Sequence, residues 1–246
     1  PLSSAGRNFV DQYKDHLIEL GINVDFIEVD EDVASCASCM MINDVDGNQV
    51  IGFYPGPDNP RRQSPETLPF IHNIALAILG PEEPELTLRQ GRILFQHNVP
   101  LIVDPGQVIS AFSRNQVREL LSLARYLVIN HYEFEVLKTN GGLTDEEVFR
   151  QVPEVVLTYG DKGAAIYSRE GICHVDAVPD VKVDEVTGCG DAFRAGYAYG
   201  ILNNFNLKER GQVGCIMAAR NLENPGTQRY RITAAELAIL RTTIYE

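Results

Sequence analysis

Apolar residues at Phe9, Tyr13, Leu17 and Leu20 recur at helical spacing, and predict a helix from Gly6 to Leu20 that Gly21 stops. Val24 to Val29 alternates apolar and polar positions, the period of a half-buried strand. Ser35 to Ile42 and Gln49 to Tyr54 flank Asn43-Asp44-Val45-Asp46-Gly47-Asn48 and predict a hairpin with an Asp-Gly turn. Pro55 to Pro69, dense in proline and polar residues, is expected to be a surface loop. Solvation accounts for Arg61 and Arg62 there, although either could touch a phosphate.

Beyond Pro69 the pattern changes. Continuous apolar runs at Ile74 to Leu79, Leu101 to Val103, Tyr126 to Ile129 and Val155 to Thr158 alternate with helical patterns at Thr87 to His97 and Ser113 to Ala124. Such alternation predicts βαβ units and a parallel sheet buried on both faces. Ala164 to Ser168 and Ile172 to Val175 flank Arg169-Glu170-Gly171, a second hairpin. Three helical stretches close the chain: Gly190 to Leu202, Leu207 to Leu222 and Thr233 to Leu240. No internal repeat or low-complexity tract interrupts this order.

The stretch with the most chemistry is Val183-Asp184-Glu185-Val186-Thr187-Gly188-Cys189-Gly190-Asp191-Ala192-Phe193-Arg194-Ala195-Gly196. It reads as a short apolar strand, a tight turn and a helix. The amides of Gly188, Cys189, Gly190 and Asp191 would be unpaired donors at the positive end of the helix, a place that suits an anion. Asp191 adds a carboxylate able to accept a proton from a hydroxyl beside that anion, as phosphoryl transfer to an alcohol requires. A plain turn, with Asp191 complementing the dipole, is the other account. Phe193 stands where a dinucleotide fingerprint needs its third glycine, and the chain has no GxxxxGK[ST] run, so neither of those nucleotide motifs is present.

These residues resemble the C-terminal signature D-T-x-G-A-G-D-x-F-x-x-G of the ribokinase-like (phosphofructokinase B type) carbohydrate and nucleoside kinases. Glu185, Val186 and Cys189 depart from it, replacing Asp, Thr and Ala. Cys189 and Arg194 are most similar to the bacterial adenosine kinases of the family. The resemblance implies that Asp191 is the catalytic base and that Gly188, Cys189, Gly190 and Asp191 form the anion hole.

Other motifs fall at predicted strand ends, where open parallel sheets bind ligands. Asn130 follows one strand with Glu133 a turn later, and resembles the family's N-x-x-E, which organises Mg²⁺ and its waters. Oxygen ligands of this kind suit that ion, and a helix cap is the alternative. Thr158-Tyr159-Gly160-Asp161-Lys162-Gly163 resembles the T-x-G-x-x-G segment that lies along the triphosphate, with Thr158, Gly160 and Gly163 as its matching residues. A simple turn would also explain it. Gly226-Thr227-Gln228 fits the tail bordering the adenine pocket. Asp104-Pro105-Gly106-Gln107 also ends a strand and is read as structural. By resemblance the cofactors are ATP and Mg²⁺, with a monovalent cation left open. The acceptor is the 5′-hydroxyl of adenosine, with a sugar such as ribose or fructose, or nucleotide binding without turnover, as alternatives.

The formal net charge of −13 disfavours nucleic acid and anionic membrane as partners, and makes any nucleotide site depend on local amides and a divalent cation. Five cysteines at 36, 39, 173, 189 and 215 do not form a disulfide framework, and a reducing cytoplasm is expected. Cys36-Ala37-Ser38-Cys39 has no second CxxC or histidine cluster, and on a strand its two thiols would diverge, so buried free thiols are the reading. There is no signal peptide and no apolar run long enough to span a bilayer. The chain opens at Pro1 in what reads as the tail of a loop, and the family's acidic first strand and G-G-x-x-x-N segment are not found before Gly6. A fragment or processed product is expected, monomeric or homodimeric, whose acceptor pocket the sequence reveals least and which as given could be inactive. The predicted fold is a single ribokinase-like α/β/α domain over residues 1–246, with a β lid from about Ala34 to Tyr54.

Overall fold

A computed structural model of the chain describes residues 1–34, 38–43, 49–54 and 64–246. They fall into two compact units, Pro1–Pro69 and Phe70–Glu246.

In the first unit, β1 (Ser3–Gly6) pairs in parallel with β2 (Ile27–Asp30), with Ser3 opposite Ile27 and Gly6 opposite Asp30. The opening residues are therefore a strand and not the tail of a loop. The predicted helix divides into α1 (Asn8–Gln12) and α2 (Lys14–Glu19) at Tyr13, whose φ of −137° leaves the helical region. Only Leu17 is buried along the two pieces, so little packing holds one continuous helix together. The hairpin forms as β3 (Ser38–Asn43) against β4 (Gln49–Tyr54), with Asn43 opposite Gln49. Its Asp-Gly turn, Cys36, Arg61 and Arg62 lie outside the described residues. The loop expected up to Pro69 ends instead in a 3₁₀ turn, Pro65–Thr67, and buries Pro65 and Leu68.

The second unit holds one sheet: β5 (Ala77–Leu79), β6 (Leu101–Val103), β7 (Tyr126–Asn130), β8 (Glu154–Thr158), β9 (Ala164–Ser168) and β10 (Gly171–Val175), in spatial order β10-β9-β8-β7-β6-β5. β5 to β8 are parallel, while β9 runs antiparallel to β8 and β10 to β9. α3 (Pro84–Gln96), α4 (Arg114–Leu123), α5 (His131–Gly141), α6 (Asp145–Gln151), α7 (Cys189–Leu202), α8 (Leu207–Leu222) and α9 (Ala234–Tyr245) complete it.

Residue parity along the strands assigns the layers. Ile102, Tyr126, Val128, Val156 and Ile166 share a core with Phe193 and Tyr197 of α7. The intervening positions Leu101, Val103, Leu127, Ile129, Val155 and Leu157 are as deeply buried and face the other way. That second core is closed by Leu88, Leu120, Leu121, Phe134 and Leu137 of α3, α4 and α5. Strands apolar on both faces thus sit between two helical layers, the three-layer α/β/α arrangement that the resemblance implies.

α5 and α6 were not evident from apolar periodicity. Their signal lies in capping boxes, Asn130 with Glu133 and Thr144 with Glu147. The strand expected before the glycine turn does not form: Val183 and Val186 are exposed, and Asp184 donates its amide to Leu222 O at 2.7 Å.

One buried polar cluster ties the α7–α8 layer to the start of β8. Tyr197 donates its hydroxyl to Glu154 Oε1 at 2.7 Å, and Arg210 Nη1 donates to the two Glu154 oxygens at 3.3 and 3.2 Å. Tyr197→Phe removes one hydrogen bond to a charged group, worth about 1.5–3 kcal/mol. Arg210→Met strands a buried carboxylate at a cost of about 3–5 kcal/mol. Chemical denaturation should rank the two variants in that order, and equal losses would contradict the assignment of Arg210 as the charge partner.

Candidate active site

α7 starts at Gly188, whose φ of +79° belongs to the left-handed region. A Cβ there would sit 2.7 Å from Thr227 Cγ2 and 3.4 Å from Asn221 Oδ1, so the space as well as the torsion demands glycine. Asn221, fully buried, donates Nδ2 to Thr187 O at 2.7 Å and props the turn from behind. Its Oδ1 is buried without a partner. Glu185, which stands where the signature has Asp, takes both the amide (3.2 Å) and the hydroxyl (2.7 Å) of Thr187. Those bonds hold its carboxyl below the usual range.

The helix start leaves the Gly190 and Asp191 amides without intrahelical acceptors. The Cys189 amide, by contrast, already donates to Val186 O at 3.3 Å. Its thiol turns away toward Ala218 O of α8, and burial pushes that thiol up from its ordinary range. Gly190 has nothing within 4 Å of where a Cβ would be, so the turn is open on its outer side.

The Asp191 side chain is 71% exposed and pairs with Nη2 of Arg194, one turn along α7. Nη1 of the same guanidinium pairs with Asp104 at the end of β6. Asp104 also accepts the Gly106 amide at 3.0 Å, and burial pushes its carboxyl up while Arg194 opposes that shift. Asp104 was read from sequence as structural. Its pairing with Arg194, and through it with Asp191, spans 90 residues, and neither the spacing nor any local motif discloses it.

At the adjacent strand end, Asn130 and Glu133 form a reciprocal cap. Glu133 N donates to Asn130 Oδ1 at 2.8 Å, and Asn130 N to Glu133 Oε2 at 3.2 Å. The capping account of this pair is therefore correct locally. Burial pushes the Glu133 carboxyl up, and the Asp104 charge adds to the shift, which puts Glu133 within electrostatic reach of the Asp104–Arg194 pair. Asn130 and Thr158 are direct register partners on β7 and β8. Gly160, with φ +61° and open space about it, begins the 3₁₀ turn Gly160–Lys162. Gly163 has a different reason for being glycine: a Cβ would lie 2.0 Å from Val175 O. It belongs to the packing of β9 against the end of β10. Gly226, with φ +80°, precedes the Thr227 that packs on Gly188, so the C-terminal tail borders the turn. Among the described residues no three His, Cys, Asp or Glu side chains are grouped as a metal cage. The one carboxylate with an amide at Glu133 and Asn130 suits Mg²⁺ that keeps most of its waters.

Parallel strands delivering polar side chains to their carboxyl ends, beside a glycine turn that opens a helix over a carboxylate, define a small-molecule phosphotransferase. Residues 2–234 match the pfkB family of carbohydrate kinases, and the chain belongs to that family. The nucleoside kinases of Methanocaldococcus jannaschii and Methanothermobacter thermautotrophicus are 25% identical over 228 residues and 28% identical over 229. Each alignment covers 92% of this chain, and 74% and 73% of the two relatives. The nucleoside kinase of Burkholderia thailandensis, solved in complex with inosine, superposes with a TM-score of 0.91 at 30% identity, over 99% of this chain and 81% of that one.

The two glycines of the turn should respond differently to alanine. Gly188→Ala should lose at least about 1–2 kcal/mol from the left-handed torsion alone, with the Thr227 contact added. Gly190→Ala, in helical and open surroundings, should melt at or above the parent temperature, since alanine is favoured over glycine in helices by about 1 kcal/mol. Thermal melts of the two variants check this, and a destabilised Gly190→Ala would mean that the turn is closed on its outer face.

Proposed function

We propose that the protein transfers the γ-phosphoryl group of ATP to a nucleoside hydroxyl, the 5′-hydroxyl of adenosine foremost. The observation that carries this is Asp191: an exposed carboxylate in the first turn of a helix, beside the open amides of that helix start. Asp191 accepts the proton of the acceptor hydroxyl as its oxygen forms the bond to the γ-phosphorus. The bond from that phosphorus to the β–γ bridging oxygen breaks, and ADP leaves. The Gly190 and Asp191 amides, with the helix dipole behind them, stabilise the charge on the phosphoryl oxygens. Thr158 and Gly160 suit the triphosphate and Gly226 the purine side. Bound with the nucleotide, Mg²⁺ neutralises phosphate charge, and Glu133 with Asn130 would hold it through water. The free thiols of Cys173, Cys189 and Cys215 suit a reducing compartment such as the cytoplasm.

The choice of a nucleoside is supported by the relatives named above, while the family also contains carbohydrate kinases. Cys189 and Arg194 favour adenosine by resemblance only, and the inosine bound to the Burkholderia enzyme makes inosine the first competitor. Steady-state rates of the full-length protein with adenosine, inosine, ribose and fructose decide the acceptor. The highest kcat/KM is expected with adenosine, and a sugar preference would overturn the nucleoside reading.

Asp191→Asn keeps the size of the side chain and removes the base. General-base contributions are typically about 10²–10⁴ in rate, so kcat should fall by that factor with ATP affinity little changed. A dipole-complementing role would cost only about 0.3–1 kcal/mol of stability and leave kcat intact. A folded Asp191→Asn protein that keeps more than about a tenth of the parent kcat removes Asp191 from the chemistry.

A further inference from the structure

Arg194 is an unusual resident of its helix. Its side chain is 11% exposed, and its guanidinium is divided between two carboxylates. Asp104, at 14% exposure, holds it from the sheet side and is fixed in turn by the Gly106 amide at 3.0 Å. Asp191, at 71% exposure, holds it from the open side. Taking a guanidinium out of water is costly, and one buried carboxylate would suffice to neutralise it. The fork instead spends its second arm on an exposed aspartate, where a surface ion pair adds little stability. What that arm does supply is direction. An aspartate in the first turn of a helix, pairing with a residue three positions on, has one oxygen pinned and its carboxylate plane set.

We propose that Arg194, anchored by Asp104, is the positioning residue for Asp191: it pins Oδ1 and so aims Oδ2 at the acceptor hydroxyl, without itself touching either substrate. The proposal rests on the reading of Asp191 as the base. A ribbon of three side chains from β6 to α7 then couples the sheet to the orientation of the proton acceptor. Lysine would be a poor substitute, since a single ammonium lacks the planar fork that reaches both carboxylates at once.

The test replaces the whole anchor by neutral groups of similar size, Arg194→Met with Asp104→Asn, so that no charge is left buried alone. Misplacing a reacting group by an ångström can cost about 10²-fold. In the full-length enzyme the paired variant should therefore lose about tenfold to 10²-fold in kcat while KM for ATP moves less than about threefold. The same pair of changes made on top of Asp191→Asn should lower kcat by less than about twofold, because a positioning effect vanishes with the group it positions. A paired variant with parental kcat, or one whose loss is as large without Asp191 as with it, overturns the proposal. If the paired variant does not fold, Arg194→Lys decides: a lower kcat at unchanged KM for ATP supports the proposal, and parental kcat overturns it. The Asp191→Asn protein by itself reports separately on the underlying reading. Should it stay active, the base assignment fails and the positioning role with it. An inactive Asp191→Asn beside an unaffected paired variant overturns the positioning role alone.

Discussion

The left-handed turn at Gly188 is the constraint on which the arrangement of the second unit's candidate site depends. It lets the chain reverse directly into α7, and it fixes which face of that helix meets the sheet. With the start of α7 set there, Phe193 and Tyr197 fall on the buried face and join the strands, while Asp191 falls at the open end. Arg194 lies between the two and reaches Asp104. Moving the start by one residue would rotate the helix by about 100° and put a carboxylate into the core. Thr187, Asn221, Thr227 and Glu185 are spent on holding that one torsion in place.

Much of the second unit was legible because its strands are apolar on both faces, and so stand out as runs however they pair. Leu101–Val103 and Ala164–Ser168 coincide with the expected boundaries for that reason. α5 and α6 escaped because their apolar faces are short and their ends are marked by polar caps, a signal of one residue pair against several for periodicity. Val183 to Val186 misled in the opposite direction. Its β-branched valines suggest a strand, yet the segment makes its hydrogen bonds to the end of α8 and leaves both valines in solvent.

In the site, the contiguous features could be read and the assembled ones could not. Gly188 and Asp191 sit in one short signature, and Asn130 and Thr158 each follow an apolar run. Asp104 and Asn221 matter only because folding brings them to Arg194 and Thr187, 90 and 34 residues away. A local pattern has no access to such pairs. Gly163 carries the reverse lesson: it fits a phosphate-binding motif by spacing, while Val175 O supplies a full reason for a glycine there.

The reversal of β9 has a practical side. Because β9 runs back from β8, the turn at Gly160–Lys162 lies at the carboxyl end of the parallel strands with Thr158. The next turn, at Arg169 and Glu170, must then project from the far end of the sheet, where both residues are exposed. Exposed loop tips are where extra chain is best tolerated. A reporter peptide or fluorophore spliced between Arg169 and Glu170 would ride on the opposite rim of the sheet from Asp191, a handle on the molecule that leaves the edge holding that carboxylate undisturbed.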